Sequence, residues 1–208
     1  MFITLEGPEG SGKSSQIEML GDYLRQQGLT VLVTREPGGT PIGDQIRQCV
    51  HDVGNANMTP QTEMLLYSAS RAQLVAEVIR PALAAGQIVL CDRFYDSTIA
   101  YQGYGRGLNL DDLYTITRFA TGGLKPDLTL LLDIVIEEGL SRRTSNGLEM
   151  NRLDLETVSF HQRVRQGYQQ MAAQEPERWV VVDAGRPLAA VQTELRRVVK
   201  EHLTGKFS

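Results

Sequence analysis

Five short apolar runs recur along the chain, separated by helix-period sequence, and this alternation restricts the fold more than any other feature. The runs are FITLE (Phe2–Glu6), TVLVT (Thr30–Thr34), QIVLCD (Gln87–Asp92), LTLLLD (Leu128–Asp133) and WVVVDA (Trp179–Ala184). Each is rich in Val, Ile and Leu and continuous rather than alternating, as expected of a parallel strand covered on both faces. Between them, Ile17, Leu20 and Leu24 share one helix face, and Gly28 supplies a stop signal. Leu153, Phe160, Val164, Tyr168 and Met171 form a longer stripe, and Leu188, Val191, Leu195 and Val198 form the last one. These stripes read as core faces with no functional signal. Strand–helix alternation implies right-handed crossovers, so the expected fold is α/β: a parallel sheet of about five strands with helices on both faces.

The 208 residues suit one domain, and no repeat, low-complexity tract or linker divides them. Net charge is −4 with Lys and Arg scattered, which argues against a nucleic-acid surface. No apolar run approaches the ~20 residues that span a bilayer, and the chain opens directly on a strand, so a cytoplasmic protein is expected. Cys49 and Cys91 lack metal-ligand spacing and read as buried reduced thiols. Two stretches break the pattern. One runs from Arg35 to about Pro60 and the other is TSNGLEMN, Thr144–Asn151. Irregular segments at the carboxyl ends of strands are where ligands and lids belong.

Gly7, Pro8, Glu9, Gly10, Ser11, Gly12, Lys13 and Ser14 fit the phosphate-loop pattern G-x-x-x-x-G-K-[ST], with a strand before and, from Ser15 on, a helix after. Such a loop points backbone N–H groups inward as an anion nest, backed by the positive end of the helix. Lys13 is expected at the β- and γ-phosphates of a nucleoside triphosphate, and Ser14 at Mg²⁺. Asp92 closes an apolar run, either as a metal-orienting carboxylate or as a strand-terminal turn residue. Arg93 beside it can grip a phosphate with its planar fork. A phosphate loop alone leaves the reaction open, because many such proteins only switch or sense.

Further motifs narrow the choice. Arg35-Glu-Pro-Gly-Gly-Thr40, Asp92-Arg93-Phe94, Ala100-Tyr-Gln-Gly103 and Pro126-Asp-Leu-Thr-Leu130 follow the phosphate loop in order. Together they resemble bacterial thymidylate kinases over essentially the whole chain. That resemblance implies a P-loop nucleoside monophosphate kinase fold, transfer of phosphate from ATP to dTMP with Mg²⁺, and a homodimer. It places Tyr67 as the ring that stacks on thymine and Arg71 as the donor to its O4 carbonyl. Thr98 and Gln102 fall at the pyrimidine edge, and Tyr101 at the sugar's 2′ position. Arg93 would hold the dTMP phosphate with Arg35 or Ser97 nearby, and the peptide before Pro37 is expected to be cis.

The resemblance also accounts for Glu9, a carboxylate inside an anion-binding loop: it would face the acceptor nucleotide, accept from the 3′-hydroxyl and help organise the metal region. The loop carries no arginine, so the cation for the transferring phosphoryl group is expected from the lid, about residues 142–154. Arg152 aligns with the family's lid arginine in a motif usually Asp-Arg, here Asn151-Arg152. Arg142 and Arg143 match a basic segment near the donor nucleotide, and Asp183-Ala-Gly-Arg186 resembles the segment beside adenine. Lys13, Arg93, Arg152 and Glu9 are thus the expected catalytic group, with no general base among His51, His161 and His202. A cytidylate or deoxynucleoside kinase is the nearest alternative, and a partition-type switch ATPase a remoter one.

Overall fold

The structure, a computed structural model, describes residues 1–145 and 150–205. Residues 146–149, the middle of the expected lid, lie outside that range. Five parallel strands, β1 (Phe2–Glu6), β2 (Val31–Arg35), β3 (Ile88–Asp92), β4 (Leu128–Asp133) and β5 (Trp179–Asp183), form one sheet in the order β2-β3-β1-β4-β5. The helices are α1 (Lys13–Gln26), α2 (Pro41–His51), α3 (Pro60–Leu74), α4 (Arg80–Ala84), α5 (Tyr95–Thr98), α6 (Leu110–Thr121), α7 (Ile136–Ser145), α8 (Val158–Gln174) and α9 (Leu188–Gly205). A wider-turned stretch, Ile99–Gly105, continues α5.

Strand alternation divides the core. Ile3 and Leu5 of β1, with Leu128, Leu130 and Leu132 of β4, pack against Ile17, Leu20 and Leu24 of α1 and Val191, Leu195 and Val198 of α9. On the other face lie Phe2, Leu131, Phe94, Phe160, Val164 and Tyr168. That second face also buries Thr4 and Glu6 completely. The edge strand β2 is only half-buried, so continuity of an apolar run did not guarantee cover on both sides.

The stretch after β2 is more ordered than expected. Thr40 accepts at its Oγ1 from the Gly43 N–H at 3.0 Å, and Pro41 sits at the first helical position, so α2 starts there. Leu153 precedes α8, whose start is capped by Thr157, so the stripe through Tyr168 is shorter at its N-terminal end than its spacing suggested. Cys91 is buried, but Cys49 is exposed on α2, which corrects the expectation of two buried thiols.

The chain leaves β1 toward β3 and β2 on one side and returns through β4 and β5 on the other. The carboxyl end of β1 therefore opens on a crevice at the topological switch point. The loop that follows β1 is pressed against α7 backbone to backbone. A Cβ on Gly139 would meet the carbonyl oxygen of Glu9, and one on Gly10, itself at φ 71°, would meet the carbonyl of Gly139. Gly139→Ala forces two backbones apart, an overpacking that costs about 1–3 kcal/mol. It is expected to lower the melting temperature by about 2–12 °C, and an unchanged melt would show that the contact tolerates a methyl group.

Candidate active site

The loop after β1 curls around its own lysine. Lys13 Nζ donates to the carbonyls of Gly7 at 3.0 Å and Pro8 at 2.9 Å, and to Ser11 Oγ at 3.2 Å. Burial, reinforced by the nearby Arg93, pushes its pKa down to about 8. In the next residue, Ser14 Oγ donates to Asp92 Oδ2 at 2.7 Å, bringing helix start and strand end together. No group of three or more His, Cys, Asp or Glu side chains gathers as a metal cage among the described residues. A hydroxyl and one carboxylate are nevertheless a fitting donor set for Mg²⁺, which keeps waters and phosphate oxygens as most of its ligands.

Arg93 is the centre of the site. Its backbone sits at φ 67°, in the left-handed region that a non-glycine residue adopts only at a cost. The Arg93 N–H donates to Leu5 O at 3.0 Å, and the next N–H, of Phe94, donates to Glu6 Oε1 at 2.7 Å. The guanidinium is held on every side. Nη1 donates to Gly7 O, Ser97 Oγ and Tyr168 OH, each at 3.1 Å, and Nη2 donates to Glu9 Oε1 at 2.8 Å and Tyr101 OH at 3.0 Å. Glu6 Oε2 in turn accepts from the hydroxyls of Ser97 at 2.6 Å and Tyr168 at 2.9 Å. Both hydroxyls thus spend their protons on Glu6 and turn lone pairs to Arg93.

Burial pushes the Glu6 carboxyl up to about 7, with Asp96 adding to the effect. Burial alone would raise Glu9 too, but Arg93, then Lys13 and the Tyr101 hydroxyl, hold it down at about 2. Neither Glu6 nor Tyr168 was singled out from sequence: one ends an apolar strand, the other lies in an apolar helix stripe.

From Arg93 a cavity of about 270 Å³ runs toward α3. Tyr67 and Arg71, four residues apart on α3, both line it. Arg71 is buried and pairs with Glu36, with Nε 2.8 Å and Nη2 2.7 Å from Glu36 Oε2. Its Nη2 also donates to Thr98 Oγ1 at 3.1 Å and Phe94 O at 3.3 Å, while buried Nη1 has no hydrogen-bond acceptor among the described residues. Burial pushes the Glu36 carboxyl up to about 7 against the pull of Arg71. The Glu36–Pro37 peptide is cis, as expected, and Pro37 lines the cavity. Arg35, bound to Asp44 at 3.3 Å, lies at the exposed end.

Two wall residues escaped the sequence reading. Arg47 donates to Pro37 O at 3.0 Å, and His51 stands beside it on α2. Burial and Arg47 push the His51 pKa down to about 4, so the ring is neutral at neutral pH. The Thr40-Pro41 start signal would have revealed α2, and with it the shared face of Gly43, Arg47 and His51.

The lid residues divide. Arg143 lines the cavity and is clamped by Asp154, Nε to Oδ1 at 2.9 Å and Nη2 to Oδ2 at 2.7 Å. Arg152 does not reach the phosphate loop. It is buried, donating through Nε to Val50 O at 3.2 Å and through Nη2 to Glu63. At Asn151 the side-chain oxygen accepts from the N–H groups of Leu153 at 2.8 Å and Asp154 at 3.2 Å. That oxygen shapes the turn, while the Asp154 carboxylate orients Arg143 and not Arg152.

A second cavity, about 350 Å³, opens on the other side of the phosphate loop, between Ser11, Gly12 and Gln16 and the segment 184–188. Arg142 spans it, donating to the carbonyls of Ala184 at 2.8 Å and Gly185 at 3.2 Å. The phosphate loop is therefore a partition between two cavities, with Gly12 lining both.

The family model described as thymidylate kinase matches residues 5–195. The thymidylate kinase of Herpetosiphon aurantiacus is 50% identical, with 98% of this chain and 97% of that protein covered. The thymidylate kinase of Bacillus pumilus is also 50% identical, over 98% of this chain and 96% of its own. The crystal structure of thymidylate kinase from Ehrlichia chaffeensis superposes with a TM-score of 0.78 at 32% identity, covering 96% of this chain and 98% of that one. The chain belongs to the thymidylate kinase family.

Proposed function

We propose that the chain transfers the γ-phosphoryl group of ATP to dTMP, giving dTDP and ADP on the way to dTTP. The observation that carries the base assignment is the unaccepted Nη1 of Arg71, a buried donor on the cavity wall. A buried donor without an acceptor costs free energy, and a carbonyl oxygen such as thymine O4 would satisfy it. Tyr67 would stack on the base, worth about 1–3 kcal/mol by truncation, with Thr98 and Gln102 along its edge and Tyr101 beside the sugar. Arg93 would hold the dTMP phosphate, helped by Arg35 and Arg47, with Ser97 behind it.

The triphosphate would lie over Gly7–Ser15 with its base in the cavity spanned by Arg142. Lys13 would exchange the loop carbonyls for phosphate oxygens. Ser14 and Asp92 would hold Mg²⁺, which when bound neutralises charge on the triphosphate. Glu9, ionised and already on Arg93 and Tyr101, would accept from the dTMP 3′-hydroxyl. Its charge is offset by Arg93 and Lys13, which is why a carboxylate is tolerable in this loop.

A phosphate oxygen of dTMP is nucleophilic at neutral pH, so direct in-line transfer needs no base, and His51, with its pKa pushed down to about 4, would be a weak one. Catalysis is then positioning and charge neutralisation by Lys13, Arg93 and Arg143. Arg143 replaces Arg152 as the lid cation because Asp154 holds it at the cavity. We further propose a cytoplasmic homodimer joined through the outer faces of α3 and α6, where Leu65 is 53% and Phe119 90% exposed. No helix among the described residues is long and apolar enough to cross a membrane.

A substrate panel tests the base assignment. Thymine and uracil differ by one methyl, so dUMP is expected to fall ~10–200-fold below dTMP in kcat/KM, and dCMP, which mismatches the edge hydrogen bonds, by ~10⁴ or more. Arg71→Lys keeps a cation beside Glu36 but removes the free donor, and should lower kcat/KM for dTMP by about 10–100-fold with ATP binding unchanged. Equal turnover of dCMP and dTMP would refute the assignment. A second expectation concerns pH. The free-enzyme Lys13 ammonium is protonated below about 8 and loses its proton above, so kcat/KM for ATP should fall as pH rises through that value. Bound phosphates favour the ammonium, so kcat should bend at higher pH. A kcat/KM that stays flat from pH 7 to 10 would show that Lys13 does not titrate there.

A further inference from the structure

Behind the base end of the cavity lies a carboxylate that phosphoryl transfer does not use. Glu63, in the first turn of α3, is fully buried. Its Oε1 accepts from Gln102 Nε2 at 2.7 Å and Arg106 Nε at 3.3 Å, and its Oε2 accepts from Arg106 Nη2 at 3.1 Å and from Arg152 Nη2. Burial works to raise its pKa, but the hydrogen bonds from Arg106 and Gln102 outweigh it and hold the group below the usual carboxylate range. Glu63 is therefore an anion enclosed by two guanidiniums and one amide.

An ionised carboxylate only accepts hydrogen bonds. Gln102 must accordingly turn its NH₂ toward Glu63 and its carbonyl Oε1 the other way. Gln102 is 1% exposed and lines the cavity, and no donor among the described residues reaches that Oε1.

We propose that Glu63 is a specificity-determining positioning residue: by locking the Gln102 amide carbonyl-first, it presents an acceptor to the N3 position of a pyrimidine. Thymine and uracil carry an N3–H donor there and are admitted. Cytosine carries a bare lone pair at N3 and meets repulsion. Arg71 reads the neighbouring O4 position, so two donor–acceptor tests stand side by side, and Glu63 sets the polarity of one without touching the nucleotide. The inference rests on dTMP as the acceptor.

The test is the ratio of kcat/KM for dTMP over dCMP in Glu63→Gln. A glutamine at position 63 can donate as well as accept, which frees the Gln102 amide to turn over. The ratio is expected to fall at least tenfold relative to wild type, and Glu63→Gln in a Gln102→Ala background should change it no further. Equal losses on both substrates, or the same change of ratio without Gln102, would overturn the proposal and leave Glu63 a packing residue. Should Glu63→Gln fail to fold, Glu63→Asp keeps the charge but withdraws it from the amide. There the ratio should fall at least threefold, and an unchanged ratio overturns the proposal. Failure of the dTMP assignment looks different: wild type itself would show no preference for dTMP, which overturns both.

Discussion

One guanidinium, that of Arg93, decides how the rest of the site is arranged. Its five hydrogen bonds tie the phosphate loop through Gly7 and Glu9, the segment after β3 through Ser97 and Tyr101, and α8 through Tyr168. The strained left-handed backbone at this residue costs about 1–3 kcal/mol. It persists because Leu5 O and the Glu6 carboxylate fix the two N–H groups around it. A fork held this way would have little rotamer freedom left to lose on binding an anion, which is the physical content of preorganisation.

Around that fork, charge is balanced locally. Glu9 faces Arg93, Glu36 faces Arg71, Asp154 faces Arg143, and Glu63 faces Arg106 and Arg152. Truncating one member of such a buried pair leaves an uncompensated charge and is strongly destabilising. The phosphate loop itself is shaped from outside: α7 lies against it without side chains between them, at Gly10 and Gly139. The same helix ends with Arg142 and Arg143, one at each cavity, so a single element supports the loop and carries a cation to each cavity.

Much of this was legible from residues alone, because the signals were local. Strand positions followed from continuous apolar runs, and the phosphate loop from fixed spacing between a strand and a helix. What escaped depended on partners distant in sequence. Tyr168 has its ring in the core and its hydroxyl on Glu6, 162 positions away, and helical periodicity registers only the ring. Arg47 and His51 were hidden because α2 was taken for an irregular segment, although Thr40 and Pro41 mark its start. Arg152 was assigned by motif alignment, but its place is set by Glu63, a carboxylate 89 positions earlier. Cys49 illustrates the limit of residue statistics, since an exposed position on α2 overrode the usual burial of thiols.

Under the proposed function, donor and acceptor nucleotides would meet end to end at Gly12, which lines both cavities. The most direct measurement is calorimetric titration with adenosine and thymidine joined through five phosphates, compared with ATP analogue and dTMP alone. Linking two ligands that occupy adjoining sites makes the second engagement intramolecular and gains about 10²–10⁴ over either one. Binding at least a hundredfold tighter than dTMP is the expected result. An affinity no better than that of the tighter single nucleotide would mean that the two cavities do not bring their ligands together.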